Sequence, residues 1–406
     1  MPLKIVTVAG ARPNFVKIAP LLREMQQHPS LVPILVHTGQ HYDGALSDQL
    51  FTDLGIPTPE FNLGVGSGSH ATQTAEVLRR LEPIMETVKP HLVLVVGDVN
   101  STLGAALTAA KLGVPVAHVE AGLRSFDRTM PEEINRVLTD AISDLLFVTE
   151  ESGRQNLLRE GVSHEKIHFV GNVMIDALQA SKASWKSSSI FTRLGLEAEH
   201  PYAVLTLHRP SNVDDSEKLR GLLNALQELA RHLPIIFPVH PRVKPKLLEQ
   251  AQVAWVRPEE GLRSPAAGII YLDPLGYLDY IALMSQARVV LTDSGGIQEE
   301  TTILGVPCLT LRENTERPVT VTHGTNRVIG TDPVRIVEEA LRTLADPPHP
   351  PGPPPLWDGY AARRIVKILL EVSRREVPQE AVTEASAWVD AGRSTRPGRR
   401  IVANES

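Results

Sequence analysis

The chain writes one structural unit twice. Residues 93–124 read VLVVGDVNSTLGAALTAAKLGVPVAHVEAGLR, and residues 289–318 read VVLTDSGGIQEETTILGVPCLTLRENTERP. Each copy runs through an apolar β-branched stretch, an Asp in a tight turn (Asp98, Asp293), a helix of small residues, the tetrapeptide Leu-Gly-Val-Pro, a second apolar stretch and a charged loop. An apolar run without alternation suits a parallel strand buried on both faces, so each copy predicts a βαβ unit. Ligands of open α/β sheets sit at the carboxyl ends of such strands. Two copies predict two sheets whose charged ends face one cleft, with Asp98, Glu120 and Arg124 on one side and Asp293, Ser294 and Glu316 on the other.

A chain of 406 residues is longer than the roughly 250–300 at which a single core stops growing, which asks for two domains. The strand–helix alternation predicts a Rossmann-like domain over 1–180 and a second over 196–346, divided by the Ser- and Ala-rich stretch 181–195. A proline run at 347–355 carries the chain back, so that a helix within 356–375 docks on the first domain, and 376–406 forms a peripheral tail. With a net charge of −6 and interspersed signs, no basic patch of the nucleic-acid-binding kind is expected. The longest apolar runs fall short of the ~20 residues a membrane span needs, and the first residues start a strand instead of a signal peptide. The single cysteine, Cys308, sits mid-strand and reads as a buried small hydrophobe; a cytoplasmic location is expected.

Four clusters carry chemistry. Gly10-Ala11-Arg12-Pro13-Asn14 with Lys17 joins the first strand to a helix whose early N–H groups and basic side chains suit an anion. It is not G-x-G-x-x-G, so no nicotinamide fingerprint stands where a dehydrogenase needs one. Asp293-Ser294-Gly295-Gly296 opens a helix as a diphosphate cradle, in which Ser294 caps the helix and donates to phosphate, while Glu300 suits a ribose diol. At the end of the first sheet stand Asp98, Glu120, Arg124, Arg128 and the segment Pro131-Glu132-Glu133-Ile134-Asn135-Arg136. Glu132 and Arg136 fall four apart, a spacing that also fits a plain surface ion pair. His208 and His240 end the first two strands of the second domain, in register at one sheet edge. No metal-ligand spacing is present, and no cofactor is expected.

Taken together, GARPNFVK, GQHYD, VVGDVNST, HVEAGLRS, PEEINR, Gly171-Asn172, LHRPSN, PVHPR, LTDSGGIQEE and ENTERP come in the order and spacing of a known family. The chain resembles the non-hydrolysing UDP-N-acetylglucosamine 2-epimerases, which share the two-domain GT-B fold. The resemblance implies that Asp98, Glu120 and Glu132 are catalytic carboxylates and that His208 stands beside the leaving diphosphate. It places Arg12, Lys17 and Arg136 around the nucleotide sugar, Ser294, Gly295, Gly296 and Glu300 around diphosphate and ribose, and Tyr280 at the uracil; His240 is a candidate substrate-binding residue from its strand-end register with His208. It also implies a homodimer and a place in cell-surface polysaccharide precursor synthesis. Many members continue Gln-His with Arg-Glu and carry a basic residue in the next loop; here Gln40-His41 is followed by Tyr42-Asp43 and the loop reads GVGSGSH. Those departures remove cations expected of an activating second-substrate site. They also resemble relatives acting on a 2,3-diacetamido uronate sugar nucleotide, and a GT-B glycosyltransferase or a UDP-sugar sensor would keep the same phosphate cradle.

Overall fold

The two copies of the repeat occupy equivalent places in two sheets. In the computed structural model, which describes residues 2–40, 44–196, 200–248, 255–256, 268–349 and 351–375, the first sheet has seven strands. They are β1 (Leu3–Ala9), β2 (Leu31–His37), β3 (Phe61–Asn62), β4 (Leu92–Val96), β5 (Val116–Ala121), β6 (Leu145–Val148) and β7 (Ile167–Phe169), all parallel in the order β3-β2-β1-β4-β5-β6-β7. The second has β8 (Ala203–Thr206), β9 (Ile235–Pro238), β10 (Ile269–Leu272), β11 (Val289–Thr292), β12 (Cys308–Thr310) and β13 (Asn326–Val328) in the parallel order β10-β9-β8-β11-β12-β13. Each repeat copy is the strand just past the point where winding reverses, its helix and the next strand. The reversal lies between β1 and β4 in one sheet and between β8 and β11 in the other, where side chains and helix N-termini diverge and leave a crevice.

The shared Leu-Gly-Val-Pro has a local cause. Gly113 and Gly305 take left-handed φ values of 70° and 72° at the ends of helices Asn100–Lys111 and Gly295–Leu304. A left-handed residue there satisfies the last helical carbonyls, and proline two residues on blocks continuation, so the chain turns into the next strand.

The stretch at 181–195 is not an open linker. It forms two short helices, Lys182–Lys186 and Ile190–Leu194, held to the second domain where Ser188 Oγ donates to Asp279 at 2.5 Å and Arg193 pairs with the same carboxylate. One apolar cluster runs from Ile5 and Phe15 through Met174 and Ile190 to Val204 and Ile281, joining the two sheets. After the proline run, helix Ala361–Arg375 returns to the first domain and packs on helices Arg12–Met25 and Val173–Ala180. Asp176 accepts from the N–H groups of Ala361 (3.1 Å) and Ala362 (2.7 Å), which satisfies that helix's first donors and fixes its docking angle. Among the described residues no helix is long and apolar enough to cross a membrane. The tail at 376–406 lies outside the described residues.

Candidate active site

Glu120 is the penultimate residue of β5, 2% exposed, and its backbone is left-handed with φ 74°. That conformation costs a non-glycine residue about 1 kcal/mol or more and persists only where its surroundings over-determine it. A register shift between Val119 and Ala121 marks the bulge that re-aims the side chain. Glu120 then binds two cations from opposite domains: Lys17 Nζ at 2.6 Å and Arg317 Nη2 at 3.0 Å. Asp98, in the turn after β4, pairs with Arg136 at 2.6 Å. Burial works against its ionisation, but Arg136 and, further off, Lys17 and Arg317 hold its carboxyl below the usual range.

From the second domain, Arg317 reaches Glu299 at 2.7 Å and Glu316 at 2.9 Å. Glu316 is ringed by Arg312 (2.9 Å), Arg209 (3.4 Å) and Arg136 (3.5 Å) as well. Burial of Glu316 opposes its charge, yet these arginines drive it well below the usual carboxylate range. The set is not closed on itself: Arg136 Nε, Arg209 Nε and Arg312 Nη1 are buried without an acceptor among the described residues. Buried donors are ordinarily partnered, and among the described residues these three are not, nor does Glu316 Oε2 beside them accept a hydrogen bond.

The start of helix Gly295–Leu304 differs in detail from the expectation. Ser294 is the N-cap of helix Gly295–Leu304, but its hydroxyl makes no capping bond, which corrects the expectation that it caps the helix. The dipole's positive end instead meets Glu316 and Arg317, and a Cβ at Gly295 would lie 2.4 Å from Arg317 Nη1; only glycine admits the guanidinium this close. Asp293 does not face the cleft. It is 0% exposed, accepts from the N–H groups of His208 (3.1 Å) and Arg209 (2.9 Å) and from Asn212 (3.2 Å), and lies 2.9 Å from His208 Nδ1. Its role is to hold the His208 loop. The rings of His208 and His240 stand 5.6 Å apart, so the two strand-end histidines do meet.

Other residues are placed as follows. Arg12 reaches over the cleft to the Leu275 carbonyl at 3.4 Å. Tyr280 shares a 2.5 Å hydrogen bond with Thr206. Glu300 accepts from the Tyr277 hydroxyl at 3.1 Å, and burial, reinforced by Glu299, pushes its carboxyl up to about 8. Glu132 and Arg136 do not pair. Arg136 turns inward to Glu133 at 2.6 Å, and Glu132 reaches Arg209 of the other domain at 3.4 Å. Arg124 leaves the cleft altogether for Asp140 (2.7 Å) and Glu160 (2.6 Å), and Arg128 is exposed. Residues 41–43 lie outside the described residues. From helix His70–Val88, Arg80 donates to the carbonyls of Leu63 and Gly64 in the following loop at 2.7 Å each while pairing with Glu76, and His70 meets Asn100 at 3.2 Å.

Sequence reasoning missed Arg317, Arg312, Arg209 and Glu299 as site residues. It also missed Glu150, 2% exposed just after β6. Burial pushes its carboxyl from an ordinary 4.5 up to about 7, against the pull of the Ser152 hydroxyl. A raised folded-state value means stability present below about pH 4.5 and lost progressively as the pH climbs through about 7. At ~1.4 kcal/mol per pKa unit the loss is on the order of 3 kcal/mol. Glu150→Gln is expected to unfold at a higher temperature than wild type at pH 8 and at the same temperature near pH 4.5; parallel melting curves across the pH series would refute it.

Comparison with known proteins identifies a family. Residues 23–370 match the family model described as UDP-N-acetylglucosamine 2-epimerase. The UDP-N-acetylglucosamine 2-epimerase of Methanococcus maripaludis is 40% identical over 370 residues, covering 90% of this chain and 98% of that protein. The UDP-2,3-diacetamido-2,3-dideoxy-D-glucuronate 2-epimerase of Pseudomonas aeruginosa is 39% identical over 374 residues, covering 91% of this chain and 100% of its own. The crystal structure of the Methanocaldococcus jannaschii UDP-GlcNAc 2-epimerase in complex with UDP-GlcNAc and UDP superposes with a TM-score of 0.82 at 40% identity, covering 91% and 100% of the two chains.

Proposed function

Since the chain belongs to the UDP-N-acetylglucosamine 2-epimerase family, we propose that it interconverts UDP-N-acetylglucosamine and UDP-N-acetylmannosamine by eliminating UDP and adding it back. The C2 hydrogen of the sugar is not next to a carbonyl and is not acidic. It becomes removable when the C1–O bond to the diphosphate breaks as the proton leaves, giving UDP and a 2-acetamidoglucal. Re-addition of UDP at C1 with protonation of C2 on the opposite face completes the inversion, and atoms balance without an oxidant. The reaction asks for carboxylates at the sugar and cations at the diphosphate.

The ion pair between Glu120 and Arg317 carries this reading, because it sets a carboxylate of the first domain against a guanidinium at the helix N-terminus of the second. Asp98, Glu120 and Glu132 take and return the C2 proton. Arg12, Lys17, Arg136 and Arg317 surround the diphosphate with the N–H groups of Gly295 and Gly296, His208 and His240 flank it, Glu300 and Ser294 meet the ribose end, and Tyr280 lies toward the base. Closure holds the glucal and UDP together and keeps water from C1.

Proton NMR of UDP-N-acetylglucosamine incubated with the protein in deuterium oxide, without acceptor or cofactor, tests the reading. Signals of the manno epimer with deuterium at C2 are expected. An inert spectrum, with turnover of the 2,3-diacetamido uronate nucleotide instead, would assign the chain to the chemistry of its Pseudomonas relative.

His208→Ala is expected to weaken UDP binding and turnover together, each by about 10-fold or more, because the ring is held at the strand end where charge grows on the departing diphosphate. Isothermal titration and steady-state kinetics check it; a variant with wild-type values returns His208 to a structural role. We also read the working form as a homodimer. Helices His70–Val88 and Pro131–Ala141 border an apolar groove of about 390 Å³ lined by Ala71, Ala75, Leu78, Pro131 and Ile134. Beside it Leu138 is 46% exposed. Leu138→Glu is expected to convert a dimer to a monomer in light scattering; a wild-type protein that is already monomeric would overturn it.

A further inference from the structure

Beneath Asp98 and Glu120 lies a buried charged assembly that takes no part in the chemistry proposed above. His118, in the middle of β5, is 0% exposed. Its Nδ1 lies 2.7 Å from Asp140 Oδ1 and its Nε2 lies 2.8 Å from the Gly97 carbonyl oxygen. Both ring nitrogens therefore have an oxygen partner, a carboxyl group at one and a backbone carbonyl at the other, and because the carbonyl can only accept, Nε2 donates to Gly97. Asp140 is itself 2% exposed. Burial opposes the ionisation of Asp140, but His118 and Arg124 hold its carboxyl below the usual range. The other oxygen of Asp140 accepts from the Gly122 N–H at 3.0 Å and meets Arg124 at 2.7 Å.

The contacts land on two places that matter. Gly97 directly precedes Asp98, and Gly122 follows Glu120 by two residues. One oxygen of Asp140 thus acts through His118 on the turn that carries Asp98, and the other acts on the left-handed turn that carries Glu120. The same helix, Pro131–Ala141, also reaches Asp98 directly: Asn135 donates to its carbonyl at 2.9 Å and Arg136 to its carboxylate at 2.6 Å.

We propose that His118 and Asp140 are positioning residues for the epimerisation, fixing the turn bearing Asp98 and the turn bearing Glu120 relative to each other. Resting on the reading of those carboxylates as catalytic, the inference concerns residues that touch no substrate. Misplacing a reacting group by about 1 Å costs on the order of 100-fold in rate, so loosening either turn registers in turnover.

His118→Gln and Asp140→Asn are each expected to lower kcat about 10- to 100-fold while KM for UDP-N-acetylglucosamine and the Kd of UDP stay within about twofold. The pair of changes is expected to be non-additive. In the double variant, Gln at 118 donates to the Gly97 carbonyl and accepts from Asn at 140, whose own oxygen still accepts from Gly122, so kcat recovers above that of either single variant. Assays run beside wild type and Glu120→Gln separate the possible failures. An inactive wild type overturns the epimerase reading and this inference with it. An active wild type, a crippled Glu120→Gln and fully active single variants overturn this inference alone, as does a loss of kcat that merely tracks lost folded protein without recovery in the double variant. Should the single variants not fold, ¹⁵N-histidine spectra of the wild type decide: one imidazole whose Nε2 carries a hydrogen protected from exchange with solvent is required, and its absence overturns the proposal.

Discussion

Glu120→Gln is expected to lower kcat for C2 inversion by at least ~100-fold, the usual scale for a general acid–base group, without weakening UDP. The amide is nearly isosteric, so the turn should survive, but it cannot take a proton from C2. Glu120 also sits between two cations, Lys17 at 2.6 Å and Arg317 at 3.0 Å. Removing its charge leaves both with less compensation and more attraction for a diphosphate, so UDP should bind as tightly as to wild type or more tightly. Asp98→Asn is expected to behave alike in turnover, since Asp98 stands on the same sheet end with Arg136 as its cation. Single-turnover kinetics with deuterium incorporation at C2, beside UDP titrations, give both readouts. If UDP affinity collapsed while turnover stayed high, the carboxylates would belong to nucleotide binding and the roles of the two domains would be reversed.

The sequence carried the architecture because the repeated unit is local: strand, turn, helix, Gly-Val-Pro and strand are fixed by neighbours within about thirty residues, and burial on both faces leaves an unbroken apolar signature. It carried the positions of Asp98, Glu120, Gly295 and Gly296 in the fold for the same reason, since each stands at a strand end or opens a helix. Arg124 and Arg317 show where that reasoning stops. Both lie in the charged loop that closes a copy of the repeat, and by pattern they are equivalent. Helix Pro131–Ala141 supplies Asp140 to one of them, so Arg124 is consumed inside its own domain. The other meets a carboxylate 197 residues away, a juxtaposition that only the packing of the two domains creates. Helix periodicity misled in a similar way at Glu132 and Arg136. The i,i+4 spacing is right for a solvated pair, but the helix buries Glu133, Asn135, Arg136 and Asp140, and burial turns Arg136 toward Asp98 and leaves Glu132 to the domain opposite. The short helices at 210–213, 244–248 and 319–322 gave no periodic signal, since one turn holds too few residues to show one.

Arg317→Met is expected to lower kcat/KM by at least ~100-fold and, unlike Glu120→Gln, to weaken UDP as well. Methionine keeps most of the apolar stem and removes only the fork of donors, which in the wild type touches Glu120, Glu299 and Glu316 within 3.0 Å. Losing one partner from a buried ion cluster strands the others, at a cost of about 3–5 kcal/mol when nothing relaxes. Glu299 is the group best able to relax, because burial and neighbouring Glu120 already raise its carboxyl toward protonation. The variant is therefore expected to fold, with Glu299 neutral, but with Glu120 held by Lys17 alone and facing an anionic substrate over a helix N-terminus that has lost its guanidinium. Repulsion then opposes closure, so small-angle scattering with UDP present should show a wider particle than wild type with UDP. Arg317→Lys tests whether charge alone suffices: a lysine restores one cation but not the three-way fork, and partial recovery of UDP affinity with little recovery of kcat is expected. Wild-type UDP affinity in Arg317→Met would sink the assignment, for it would show that the diphosphate lies elsewhere and that the Glu120–Arg317 pair is only a domain clasp.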